Sequence, residues 1–250
     1  MRYWGNNIEI DGSYYDTAMG KSFLPTPAEM AQLQATGNYF QFEGNVEIFE
    51  VTVQDMLREI EKNPVGRILL SKIASSGRTL RIIPLTGKEE FSHIVRLQSI
   101  PRGQFNGRGW ESVIWYEPWS NIPNLGGPSG TSPYQILVHE LQHSVRHLWG
   151  KVYPDTNSLK DSTKKVTFPN AEEFFSVMIE NLYLSFAGQP QRMMKEYYPA
   201  VPNGSSTDWE FYKHYHTAID AWCNDFPDMA GQLEGIGGTW NPIWVSRRRR

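Results

Sequence analysis

Residues 136–150 read ILVHELQHSVRHLWG and place three of the six histidines, His139, His143 and His147, four apart. Within this stretch His139-Glu140-Leu141-Gln142-His143 has the pattern H-E-x-x-H. On an α-helix, residues four apart are separated by about 40° around the axis and about 6 Å along it. Two imidazoles so placed can converge on one zinc ion, with Zn–N distances near ~2.1 Å. Glu140 then stands beside the remaining coordination position, where a carboxylate can take a proton from an activated water. The chemistry this spacing predicts is metal-assisted hydrolysis, with one zinc per chain.

His147 does not complete such a site. It stands about 12 Å beyond His139 on an unbroken helix, a gap that a short imidazole cannot close. The longer pattern H-E-x-x-H-x-x-G-x-x-H solves this by breaking the helix at glycine. Here the third residue after His143 is Arg146, and the sixth is not a histidine. His147 and Arg146 are therefore read as solvent-exposed, or as partners of a carboxylate.

Zincins that lack that third histidine take a glutamate from a second helix packed on the first. The stretch NAEEFFSVMIENLY, about thirty residues beyond His143, is the evident source. Glu172, Glu173 and Glu180 stand there among Phe174, Phe175, Val177, Met178, Ile179 and Leu182. A carboxylate on so apolar a helix needs a partner, because an unpaired buried charge is costly. Either member of the Glu172–Glu173 pair can be the ligand. Asn170 with Glu173 also resembles a capping box, and acids in a first turn suit the helix dipole. Glu180, seven residues after Glu173, shares its face and can orient a histidine from behind.

The elements that must position these groups can be read along the chain. Residues 1–45 alternate aromatics with Gly, Asn and Pro, which predicts loops and short strands. Residues 46–53 carry β-branched residues, and a helix is expected over Gln54 to Lys62, stopped by Asn63-Pro64. VGRILLSKIASSG predicts a second helix with Ile68, Leu69, Ile73 and Ala74 inward and Gly77 at its stop. TLRIIP, HIVRLQSI and SVIWYEP read as strands, the last entered through GQFNGRGW. Thr131 or Ser132 can cap the histidine helix, Pro133 suits its first turn and Gly150 can end it. Lys151 to Lys165 is polar and aperiodic and reads as a loop. Ala171 to Phe186 is a strong helix; QPQRMMKEYY and TDWEFYKHYHTAIDAWCNDF predict two more before a Gly- and Trp-rich tail.

Composition bounds the function. With 40% hydrophobic and 20% charged residues, 250 residues suffice for one good-sized domain. The net charge is −3, and four positive charges are Arg247 to Arg250, so the rest carries −3 − 4 = −7. That excludes the basic face that a nucleic-acid-binding body needs. Cys223 is the only cysteine, so neither an intrachain disulfide nor a thiolate cluster is available. The first residues lack the pattern of a Sec signal peptide, and no apolar run is long enough to span a membrane.

Taken together, DMLREIEKNPVGRILLSKIASSGRTLRII, GRGWESVIWYEP, LVHELQHSVRHLWG and NAEEFFSVMIENLYLS resemble the bacterial type III effector-type zinc metallopeptidases (NleD-like). The resemblance covers about residues 46–185, leaving 1–45 as an extension and 186–250 as a helical C-terminal part with a basic tail. HELQHSVRHLWG is also similar to the zinc helix of clostridial neurotoxin light chains, in which the second glutamate of a downstream Glu-Glu pair binds zinc. Carried over, that glutamate is Glu173, giving His139, His143 and Glu173 as ligands and Glu140 as base. Position 142 is Gln where those relatives usually carry an aliphatic residue.

The resemblance implies an α+β, zincin-like fold: a single catalytic domain with a small mixed or antiparallel sheet packed on the two site helices. It further implies a monomeric endopeptidase with a protein or peptide substrate, exported by a specialised non-Sec route to act in the cytosol of a target cell. Arg192, Tyr197, Tyr198, His214 and His216 are candidate oxyanion donors, and SVIWYEP is a candidate edge for an extended peptide. Two other readings are a zinc amidohydrolase acting on a non-protein amide and a non-catalytic binding module that uses its arginine tail.

Overall fold

The computed structural model describes residues 1–5, 7–12, 46–84, 107–116, 118, 133–153, 159–160, 166–188, 208–237 and 240–249. Elements are numbered here among those residues. Strands β1 (Arg2–Trp4), β2 (Ile8–Ile10), β3 (Leu80–Pro84) and β4 (Ser112–Tyr116) form a sheet in that order. Only the β1–β2 pair is antiparallel; β2–β3 and β3–β4 are parallel, with Ile8 opposite Leu80 and Leu80 opposite Ser112. The sheet is thus the mixed one of the two expected types. It combines with seven described helices into a mixed helix–strand fold.

Between β2 and β3 run helices α1 (Val46–Lys62) and α2 (Pro64–Ala74). Helix α1 begins eight residues before the expected Gln54. Its buried Phe49, Val53, Met56, Leu57 and Ile60 keep a helical period, and that packing outweighs the local preference of Val46, Ile48, Val51, Thr52 and Val53. Asn63 accepts from Val65 N at 2.9 Å to cap α2, and its Nδ2 donates to Tyr183 O at 3.1 Å. On α2, Val65, Leu69, Leu70 and Ile73 are buried, Ile68 is half-buried and Ala74 is exposed, so the inward face is turned from the expected one. Gly66 is needed for the tight α1–α2 turn, where a Cβ would lie 2.1 Å from Ile60 O.

Helix α3 (Pro133–Leu148) carries the histidines and packs against β4 and helix α4 (Ala171–Phe186). The stretch expected as a plain loop after α3 includes β5 (Leu159–Lys160), which pairs antiparallel with β6 (Val166–Phe168). Helix α5 (Asp208–Asp225) bends at Tyr215, with φ −123° and ψ 16°. The expected C-terminal tail instead holds α6 (Pro227–Glu234) and α7 (Pro242–Arg248), each with proline in its first turn. Asn241 caps α7 by accepting from Trp244 N, and Trp240 N donates to Ser185 Oγ on α4 at 2.8 Å. One hydrophobic core runs through the described elements from Ile8 to Val245. The expected strand HIVRLQSI, the helix at QPQRMMKEYY and the Thr131/Ser132 cap lie outside the described residues.

Candidate metal centre

Helix α3 is amphipathic in the way its site requires. Leu137, Val138, Leu141, Val145 and Leu148 are fully buried, which fixes its rotation and turns His139 and His143 towards α4. Its C-terminus closes on Gly150, in the left-handed region at φ +62°. Gly150 N donates to His147 O at 3.0 Å and Lys151 N to Arg146 O at 2.8 Å, a Schellman pair. The glycine-rich entry to β4 seals the same corner: Trp110 N donates to His147 O at 3.1 Å and Gly107 N to Gly150 O at 3.3 Å. Gly109, at φ +59°, lies so close that a Cβ would stand 1.8 Å from Leu148 O. Ser112 Oγ on β4 donates to Ser144 Oγ on α3 at 3.2 Å in the buried interface.

On α4, Asn170 accepts from Glu173 N at 2.8 Å as the expected N-cap. The reciprocal half of a capping box does not form, because the Glu173 side chain turns to the histidines instead. Glu173 Oε2 lies 3.3 Å from His139 Nε2, and Oε1 lies 3.4 Å from His143 Nε2. The two Nε2 atoms are 3.2 Å apart, with their rings edge-on at 67° and centroids 4.9 Å apart. Glu140 Oε1 is 3.9 Å from His139 Nε2. Ligand atoms of His139, Glu140 and His143 all fall within 4.8 Å of one another, a grouping able to hold a metal ion. Behind it, fully buried Glu180 meets His139 Nδ1 at 3.2 Å. That contact leaves Nε2 as the nitrogen facing the cluster.

The electrostatics follow from burial and from this crowding of acids and imidazoles. Burial is the largest influence on His139 and lowers its pKa, but contacts with Glu173 and Glu180 and the charge of Glu140 outweigh it and carry the pKa to about 10. His143 is also raised, burial being overcome by Glu173 and Glu140. Burial raises Glu140 above the ordinary carboxylate range, with the two histidines opposing it in part. Glu173 resists its burial and is held well below that range by His143 and His139. The protonation of these imidazoles and carboxylates is therefore coupled, each depending on the others.

Glu172, the other member of the acid pair, faces away from the histidines. Its Oε2 accepts from Arg146 Nε at 2.7 Å and its Oε1 from Tyr153 N at 2.9 Å. Arg146 is not solvent-exposed but completely buried, and of its two expected environments only the carboxylate contact is found. Sequence reasoning missed the burial, because the carboxylates that Arg146 meets lie 26 and 79 residues along the chain. His147 is half-buried rather than exposed, and burial, reinforced by His143 and Arg146, lowers its pKa to about 3. His216 is exposed, with Nδ1 3.3 Å from Lys213 O, and half-buried His214 meets the Tyr215 ring edge-on at 6.5 Å; neither belongs to the cluster. Arg192, Tyr197 and Tyr198 lie outside the described residues.

A His–Glu–His group on one helix, faced by acids of a second, is a cluster that could hold a metal ion. Residues 36–176, 141 of the 250, match the model of the Peptidase_M91 family, described as effector protein. The chain belongs to this family of bacterial effector metallopeptidases. The match begins before α1, includes the whole of α3 and reaches past Glu173, ending within α4 short of Glu180. No curated protein matches the chain at a significant level.

Proposed function

We propose that the protein is a zinc-dependent endopeptidase with a zincin-like catalytic domain. Its site would hold one zinc per chain through His139, His143 and Glu173, with Glu140 as general base. The observation that carries the reading is the position of Glu173. One carboxylate spans two imidazole nitrogens, and the three groups stand 3.2, 3.3 and 3.4 Å apart. Donors at ~2.1 Å in a tetrahedron stand about 3.4 Å from one another; the two nitrogens come close to that spacing, and Glu173 brings a separate oxygen to each of them, so the residue types present suit zinc. Two histidines and a glutamate leave a coordination position open, as hydrolytic zinc sites do.

Zinc bound there would supply Lewis acidity, polarising a scissile carbonyl and acidifying a water. The remaining work falls to the chain. Glu140, with its pKa raised by burial, takes a proton from the attacking water and returns it to the leaving amine. Glu180 holds the His139 ring in one tautomer and one orientation. Among the described residues strand β4 ends the four-strand order, where an extended peptide could pair. The family's description as effector protein supports a protein substrate inside another cell; export by a non-Sec route and action as a monomer are proposed with it. Among the described residues no helix is long and apolar enough to cross a membrane.

The test is metal analysis combined with comparison of cleavage products in lysates. Purified protein should carry about one zinc per chain. Glu140→Gln should keep the metal and lose all cleavage seen with wild type. A wild type unable to take up zinc would overturn the reading.

A further inference from the structure

Arg146 lies on α3 one turn beyond His143 and is completely buried. Its guanidinium gathers three separate segments. Nε donates to Glu172 in the first turn of α4, Nη1 donates at 3.2 Å to Asp225 at the end of α5, and Nη2 donates to Lys151 O after the α3 terminus. Aromatic rings enclose the plane of the group, with Phe175 at 4.4 Å, Tyr153 at 5.0 Å and Phe226 at 5.7 Å. Asp225 also lies 3.8 Å from Lys151 Nζ.

We infer that Arg146 and Asp225 are positioning residues for the metal centre, setting where Glu173 stands relative to His139 and His143. The inference rests on the reading of Glu173 as a ligand and adds what determines its place. Glu172 has both oxygens engaged, by Arg146 and by Tyr153 N, so the first turn of α4 is pinned against the end of α3. Consecutive Cα atoms are about 3.8 Å apart, and the Glu173 backbone follows its neighbour. A buried ion network of this kind is weak evidence for stability, but its directional contacts can specify one register between helices. The planar fork of arginine suits that role, since its donors leave in fixed directions. Asp225 lies outside residues 36–176, so the C-terminal helices take part in building the site although the family match does not reach them.

The experiment measures zinc affinity of the full-length protein by competition with a chelator. Wild type is compared with Asp225→Asn, Asp225→Glu and Glu172→Gln at a temperature where near-ultraviolet dichroism shows each to be folded. Asp225→Asn should weaken zinc binding about ten-fold, the low end for groups that orient ligands indirectly. Asp225→Glu, which restores the charge, should recover most of that loss. A merely structural role would lower the melting temperature and leave the zinc affinity of the folded protein unchanged, and that result overturns the inference. If Asp225→Asn does not fold, Glu172→Gln decides by the same criterion, because Arg146 keeps Asp225 as its partner. A wild type that binds no zinc removes the reading of Glu173 itself, and that failure is visible before any variant is compared.

Discussion

Glu172 and Glu173 are neighbours in the first turn of α4 and serve different partners. Glu172 reaches Arg146 at 2.7 Å, while Glu173 lies across His139 and His143 at 3.3 and 3.4 Å. Adjacent positions on a helix diverge by about 100°, so two acids in sequence necessarily address two sides. The helix spends one on the histidines and the other on the clamp that holds it in place.

Metal content should separate the pair. Glu173→Gln is expected to weaken zinc binding by at least about 100-fold, beyond the 10–100-fold typical of an orienting partner. Glu172→Gln should still load zinc when the metal is in excess. Equal loss in both variants, read by elemental analysis after dialysis, would show that the two carboxylates are not divided in this way.

Glu180 should matter to the metal through His139. Replacement by leucine removes the acceptor at Nδ1 and should lower zinc affinity about 10–100-fold. Glutamine keeps an acceptor oxygen and should cost less. The comparison of the two substitutions by chelator competition isolates the hydrogen bond from the packing of a fully buried side chain.

Loading should depend on pH with a definite sign. His139 in the metal-free protein has its pKa raised from 6.5 to about 10, so zinc must displace a proton to bind. Affinity is therefore expected to rise with pH, and titration calorimetry in buffers of different ionisation enthalpy should show proton release. For the metal-free fold the sign reverses. A raised histidine pKa adds stability that is complete below 6.5 and is lost as pH climbs through about 10. Thermal melts of metal-free protein across that window should fall, and a flat profile would contradict the assignment.

Gly109→Ala should destabilise without touching a ligand. The new Cβ meets Leu148 O at 1.8 Å, and φ of +59° is itself costly for a non-glycine residue. A loss of about 2 kcal/mol lowers the melting temperature of a chain this long by roughly 4–8 °C. Differential scanning calorimetry of the two proteins measures it directly.

The parts of the site that could be read from sequence were those carried by short-range spacing. The i, i+4 histidines and the helix from Ala171 with its Asn170 cap depend on contacts within a turn, and the structure places both as expected. What could not be read depends on partners far along the chain. Arg146 takes its burial from Glu172 and Asp225, 26 and 79 residues away, and nothing near it in sequence announces them. The choice between Glu172 and Glu173 had the same character, since both are first-turn acids. Helix α1 was cut short because its β-branched start obeys tertiary packing over local preference. Helices α6 and α7 were hidden by their brevity and by the glycines and tryptophans between them.

The corner where Gly107 to Trp110 meets the end of α3 joins through main-chain atoms: two amides, two carbonyls and two glycine backbones in contact. The side chains of Arg108 and Trp110 both project to solvent from this joint. The surface beside the histidine helix can therefore change while its main-chain joint to the sheet is kept. A substitution at Trp110 changes an exposed side chain and leaves these main-chain contacts in place, so the end of the helix that carries His139 and His143 keeps its seat on the sheet.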